Sequence, residues 1–172
     1  DRRQRQMCIR DSDYTDRFEL PYFDYIEEWG VKAKSLKPIF PSFTFPNHYA
    51  IATGCYANKH KILGNEFKNE LGEYSYKDKN SVQDAKWYGA EPIWVTAEKN
   101  NMITATYFWV GSEAPIGGLY PTYYKNYESG INPYDKVDQA IDWLEYPISS
   151  RPKLVCLYFN EPDHAGHVYG CL

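Results

Sequence analysis

The sequence has no excess of positive charge. Its 19 Lys and Arg stand against 23 Asp and Glu, a formal net charge of −4, and no Lys/Arg stripe interrupts that balance. Binding to nucleic acid polymers draws on phosphate neutralisation, so no polymeric nucleic acid is expected as a partner. No apolar run approaches the roughly 20 residues that cross a bilayer, and no apolar segment near Asp1 resembles a signal peptide. The four cysteines, Cys8, Cys55, Cys156 and Cys171, lack CxxC or zinc-finger spacing and leave any disulfide pairing unread. Asn-x-Ser/Thr sites are absent, so the chain carries no positive sign of secretion. Internal repeats are also missing.

What the chain does have is aromatic side chains, 17% of the whole, with 17 tyrosines and 5 tryptophans. These fill a core more often than they line a site where flat ligands stack. At 172 residues the chain suits one domain or part of a larger one. Residues 1–12 (DRRQRQMCIRDS) are polar, aperiodic and unlike the rest of the chain, and are expected to be non-native or disordered. An acidic chain that handles a phosphate ester needs metal ions to offset like charge.

Hydrophobic spacing predicts a short helix over 21–29 that opens on Pro21 and stops at Gly30. An extended segment is expected over 31–40. A second helix runs through His48, Tyr49 and Ile51 to Gly54, with Thr44 and Phe45 at or just before its start. Residues 65–84 read as a loop or short hairpin, and 92–100 as a helix. The runs ITATYFWV (103–110) and KLVCLYF (153–159) read as buried strands. Val137, Ala140, Ile141 and Leu144 recur at i, i+3, i+4, i+7 and predict an amphipathic helix with that stripe inward. Helices alternating with nearly all-apolar strands imply an α/β fold with a mostly parallel sheet. Ligands then collect beyond the C-terminal strand ends, from Trp109 and from Asn160 onward.

Two constellations could carry chemistry. In NEPDHAGHVYG (160–170), Asp163 and His167 are four apart, so a helical turn aims both at one point, a donor pair suited to zinc. Spacing alone favours the plainer reading, a solvated polar loop with an incidental pair. In PIFPSFTFPNHYAIATG (38–54), Thr44 meets a helix N-terminus, where backbone N–H groups and the dipole favour an anion. A plain N-cap accounts for the same threonine.

The order TFPNHYAIATG, GNEF, AEPIWVTAEK, YFWVGSE, EPDHAGHVYG resembles the nucleotide pyrophosphatase/phosphodiesterase family of the alkaline phosphatase superfamily, from about Phe18 to Gly170. The resemblance implies an alkaline-phosphatase-like α/β fold, present in part, with helices on both faces of the sheet. It also implies a hydrolase that uses two divalent metals, most often zinc, and a phosphothreonine intermediate. Position by position, Thr44 matches the nucleophile and metal ligand, and Asn65 the donor to a non-bridging phosphate oxygen. Asp163 and His167 match two ligands of the other metal. Phe45 and Tyr127 match the base-sandwiching aromatic pair, with Trp109 and Tyr158 lining the same pocket.

The implied partner is a small-molecule phosphodiester such as a nucleotide, and the implied location extracellular or membrane-associated. Departures fall at Phe43, Val110 and Glu113, all beside the substrate pocket. The remaining metal ligands of the family have no counterpart in the sequence. Residues 13–172 are therefore expected to be an incomplete N-terminal part of a catalytic domain, inactive alone. Two rival readings stand: a lipid or choline-phosphate diesterase on the same scaffold, and a non-catalytic, metal-poor binding or structural fragment.

Overall fold

The computed structural model describes residues 18–33, 35–161 and 163–169. The expected non-native or disordered segment 1–12 lies outside them, as do Cys8 and Cys171. Cys55 and Cys156 are each free thiols. The chain divides into two compact units, 1–37 with 159–172, and 38–158.

The first unit carries helix α1, Pro21–Trp29, which Pro21 opens and Gly30 ends as its sequence predicts. None of its residues is buried. The expected extended segment has no strand pairing over 31–33 and 35–40.

The second unit opens with α2, Thr44–Thr53, closed by Gly54 in the left-handed region at φ 65°. A single helical turn, α3 (Ala57–His60), comes next. The polar stretch from Asn65 forms a hairpin of β1 (Glu66–Asn69) and β2 (Gly72–Ser75), with Phe67 opposite Tyr74. After one helical turn, α4 (Lys79–Val82), comes α5, Ile93–Lys99. The main sheet contains β3 (Thr104–Tyr107), β4 (Tyr123–Lys125) and β5 (Leu154–Leu157) in the order β4-β3-β5, all parallel. Helix α6, Pro133–Glu145, joins β4 to β5, and Asn132 caps it by accepting from the Tyr134 N–H.

All four residues of β3 are buried. Successive side chains point to opposite faces, so both faces of the strand are covered. Trp143 of α6 packs with Ala105 and Tyr107 on one face, while Glu98 of α5 hydrogen-bonds Thr104 on the other. The expected α/β fold with a parallel sheet and helices on both faces is therefore present.

Two expectations about burial fail. The inward stripe of α6 consists of Lys136, Ala140 and Trp143, whereas Val137, Ile141 and Leu144 are 40–49% exposed. Lys136 can point inward because its apolar stem packs while its Nζ reaches the Tyr158 carbonyl at 3.2 Å and lies 4.8 Å from the Phe108 ring centre. Strand β5 is half-buried at every position, not buried, because among the described residues it pairs on one side only. The aromatics go to the core only in part: Tyr49, Tyr74, Trp87, Tyr88 and Trp94 form one buried cluster, but among the described residues more aromatics are exposed than buried.

Candidate active site

In a parallel sheet all strands end at one edge, and the register puts Tyr107, Lys125 and Leu157 side by side there. The residues that leave that edge are the ones singled out for ligand binding. Strand β3 continues through Phe108, held at φ 65°, to Trp109. Left-handed backbone is rare for a bulky aromatic and turns the chain sharply out of the strand. Strand β5 continues to Tyr158, whose N–H donates to the Tyr107 carbonyl at 3.0 Å. Tyr127 lies beyond the end of β4, its ring centre 5.3 Å from that of Phe108.

Helix α2 meets this edge through His48. Its ring lies edge-on between Trp109 (5.6 Å) and Tyr158 (5.2 Å), and Trp109 Nε1 donates to the His48 carbonyl at 3.2 Å. One turn earlier on the same helix, Thr44 accepts from His48 Nδ1 through its backbone carbonyl at 2.8 Å. Thr44 is the first helical residue, and the N-cap position belongs to Phe43, which makes no side-chain cap bond. The plain N-cap explanation for Thr44 therefore does not hold.

The cap function falls to Asn65 instead. Its Oδ1 accepts from the Phe45 N–H, in the first turn of α2, at 2.9 Å. Because the carbonyl oxygen is committed, the amide group remaining to Asn65 is a pure donor, held at the end of the helix where an anion is favoured. Asn47 pins the approach to that corner: its Nδ2 donates to the Phe43 and Pro41 carbonyls, and its Oδ1 accepts from the Ile39 N–H. The Phe45 ring packs against Tyr74 (6.3 Å) and Tyr76 (5.6 Å) of the hairpin.

Asp163 and His167 lie in the other unit, on helix α7, Asp163–Tyr169. His167 Nε2 is 3.5 Å from Asp163 Oδ2 and both side chains are more than half exposed. One carboxylate and one imidazole converge as the spacing predicts, a donor set that fits half of a zinc site. Among the described residues no cluster of three or more His, Cys, Asp or Glu is assembled to hold a metal.

The family profile of type I phosphodiesterase / nucleotide pyrophosphatase matches residues 10–171. The chain belongs to that family. It is 36% identical to human ectonucleotide pyrophosphatase/phosphodiesterase family member 1 over 152 residues, covering 88% of this chain and 16% of the relative. It is 38% identical to venom phosphodiesterase 2 of Crotalus adamanteus, covering 88% of this chain and 19% of the relative. Among solved structures it resembles murine ectonucleotide pyrophosphatase / phosphodiesterase 5, in an inactive threonine-to-alanine form in complex with AMP. That match has a TM-score of 0.84 at 30% identity and covers 92% of this chain and 42% of that one. This phosphodiesterase-family chain thus spans less than a fifth of the length of these curated relatives.

Within the second unit, the structure of this phosphodiesterase-family chain brings Thr44, Phe45 and Asn65 to one corner and Trp109 and Tyr158 to one ring cluster. Phe45 and Tyr127 make their ring contacts with different partners, the hairpin and Phe108. Two concavities, of 320 and 220 Å³, are lined by Tyr123, Trp143 and neighbours and by Ile39, Tyr56 and neighbours. Neither holds a candidate site residue. The sequence did not mark His48, Asn47 or Tyr76 as candidate site residues. His48 and Asn47 sit inside the TFPNHY run, four and three residues after Thr44, and that helical spacing was the available signal.

Proposed function

We propose that this chain supplies the nucleophile corner of a phosphodiesterase/nucleotide pyrophosphatase acting on small phosphodiesters such as nucleotides. The observation that carries the reading is the committed Asn65 amide: with Oδ1 on the Phe45 N–H, its donor group and Thr44 share the N-terminus of α2. A tetrahedral phosphate is recognised by such a set of donors plus a helix dipole. The AMP-bound murine relative, with its inactivating threonine-to-alanine change, supports both the substrate class and the weight placed on a threonine.

In this reading the Thr44 hydroxyl attacks phosphorus in line. The Thr44 oxygen–phosphorus bond forms, the bond from phosphorus to the leaving oxygen breaks, and water later cleaves the phosphothreonine. Asn65 donates to a non-bridging oxygen, whose charge grows in the transition state. Phe45 and Tyr127 hold the base, and Trp109 and Tyr158 form the wall of its pocket. Bound divalent metals, zinc by the donor chemistry, supply charge neutralisation and a lower pKa for the attacking hydroxyl. Asp163 and His167 would hold one of them, and Thr44 the other.

Residues 13–172 serve here as the N-terminal part of a longer catalytic domain, inactive without the rest, a reading supported by the small share of each relative that the chain spans. An extracellular or membrane-associated setting is supported by relatives named as ectonucleotide and venom enzymes. Among the described residues no helix is long and apolar enough to cross a membrane.

The test is Thr44→Ala in the full-length protein, assayed on the nitrophenyl ester of thymidine monophosphate and on nitrophenyl phosphorylcholine. Turnover of the nucleotide ester should vanish while metal content stays. More than a few per cent residual turnover removes Thr44 as nucleophile. A wild-type preference for the choline ester hands the site to the lipid-type reading.

A further inference from the structure

We propose that Glu113 is a positioning residue that fixes Tyr127 for base stacking and so sets the preference for a nucleotide over a phosphodiester without a base. The proposal rests on the reading of Phe45 and Tyr127 as the base-binding pair.

Glu113 stands on a rigid support. It belongs to the turn just after Trp109, where the Ser112 N–H and Oγ both bond the Trp109 carbonyl, at 3.0 and 2.8 Å. Gly111, Ser112 and Ala114 around it are buried. From this turn Glu113 Oε1 accepts from the Tyr127 N–H at 2.9 Å, and Oε2 accepts from Gln83 Nε2 at 3.4 Å. A backbone N–H on a carboxylate is a charge-assisted bond, stronger than a neutral one.

Tyr127 needs such a tether. Residues 126–130 are all exposed, and among the described residues no other backbone hydrogen bond anchors 127–130 to the remainder of the chain. The ring itself packs against Phe108 and is 48% exposed, leaving much of its surface for a ligand. One turn therefore carries the pocket wall, Trp109, and the staple for the opposite stacking ring, Glu113. A loop held this way loses less freedom when a base binds, which strengthens binding without touching the reacting atoms.

The experiment compares wild type, Glu113→Ala, Glu113→Gln and Tyr127→Ala in the full-length protein. Two substrates are used, the nitrophenyl ester of thymidine monophosphate and methyl nitrophenyl phosphate, which has no base. Amide exchange at Tyr127 is followed in parallel. Glu113→Ala should raise KM for the nucleotide ester by about tenfold with kcat nearly unchanged, leave the methyl ester unaffected, and speed exchange at Tyr127. Glu113→Gln keeps an acceptor oxygen and should restore both readouts. Unchanged exchange in Glu113→Ala, or equal losses on the two substrates, overturns the proposal. Unchanged substrate preference in Tyr127→Ala with faster exchange in Glu113→Ala overturns the stacking reading instead, and the specificity role with it.

Discussion

Asn65 Oδ1 accepts the Phe45 N–H at 2.9 Å, across 20 residues of sequence. The bond ties the loop before the β1–β2 hairpin to the first turn of α2 and fixes which end of the amide is left to donate. Under the proposed function a rotated amide would present an acceptor to phosphate and repel it, so the proposed role of Asn65 depends on this orientation.

Substitutions at Asn65 separate its two tasks. Asn65→Asp keeps an acceptor for the Phe45 N–H but replaces the donor with an anion. It should fold with near wild-type thermal stability and lose about 100-fold or more in kcat. Asn65→Ala loses both and should also cost about 1 kcal/mol of stability. Thermal melts beside steady-state kinetics make the comparison. Normal activity in Asn65→Asp would show that Asn65 only caps the helix.

Glu98 links pH to stability. Its Oε1 accepts from the N–H and Oγ1 of both Thr104 and Thr122, at 2.7–2.9 Å, joining the end of α5 to the start of β3 and the approach to β4. Burial pulls the carboxyl upward, yet the hydrogen bonds from Thr104 and Thr122 outweigh it and hold Glu98 below its ordinary value. A depressed carboxyl pKa contributes stability that is complete above the unfolded value, roughly 4.3. That contribution is lost as pH falls through the folded value. Glu98→Ala should cost about 1–3 kcal/mol at pH 7 and flatten the acid limb of the stability curve below about pH 4.5. Urea unfolding at pH 7 and pH 4 measures both. An acid limb as steep as wild type in the variant would assign the titration to another group.

How much of this was legible depends on the range of the interactions involved. Helix α1 and its Pro21 and Gly30 boundaries come from local chemistry, as does the start of α2. The period of α6 was readable but its phase was not. Lys136 counts as polar in any pattern, although its stem packs beside Phe108, and Trp143 stood outside the chosen stripe. Strand β4 is three residues long, too short for an alternating pattern to declare itself. At the site, spacing foresaw the convergence of Asp163 and His167 because both lie on one helical turn. The Asn65–Phe45 bond, the rings around His48 and the Glu113 staple join distant segments, and no local rule announces them. Only the motif resemblance pointed toward Asn65 and Tyr127.

His167→Ala tests the metal assignment apart from turnover. Asp163 and His167 place one carboxylate and one imidazole together on α7, and zinc sites are closed by three or four ligands. In the full-length protein, elemental analysis should show the loss of about one zinc equivalent, since a site without its imidazole loses much of its affinity. Full zinc content after the change would return the pair to a solvated polar turn.

Gly111 should tolerate no side chain. Its φ is 88°, and an added Cβ would lie 2.8 Å from Tyr49 Cε2 and 3.2 Å from Tyr88 Cε1. Neither ring can retreat easily. Tyr49 is fully buried with its hydroxyl bonded to the Ala90 carbonyl, and Tyr88 donates to the Val82 carbonyl at 2.9 Å. Left-handed backbone and overpacking act together in Gly111→Ala, at about 3 kcal/mol. For a domain of this size that is a thermal midpoint lower by about 6–12 °C. The turn after Trp109 would shift with it, carrying Glu113 away from the Tyr127 N–H, so amide exchange at Tyr127 should quicken well below the melting range. A variant that melts early but keeps Tyr127 protected would show that the turn moves independently of the loop it holds.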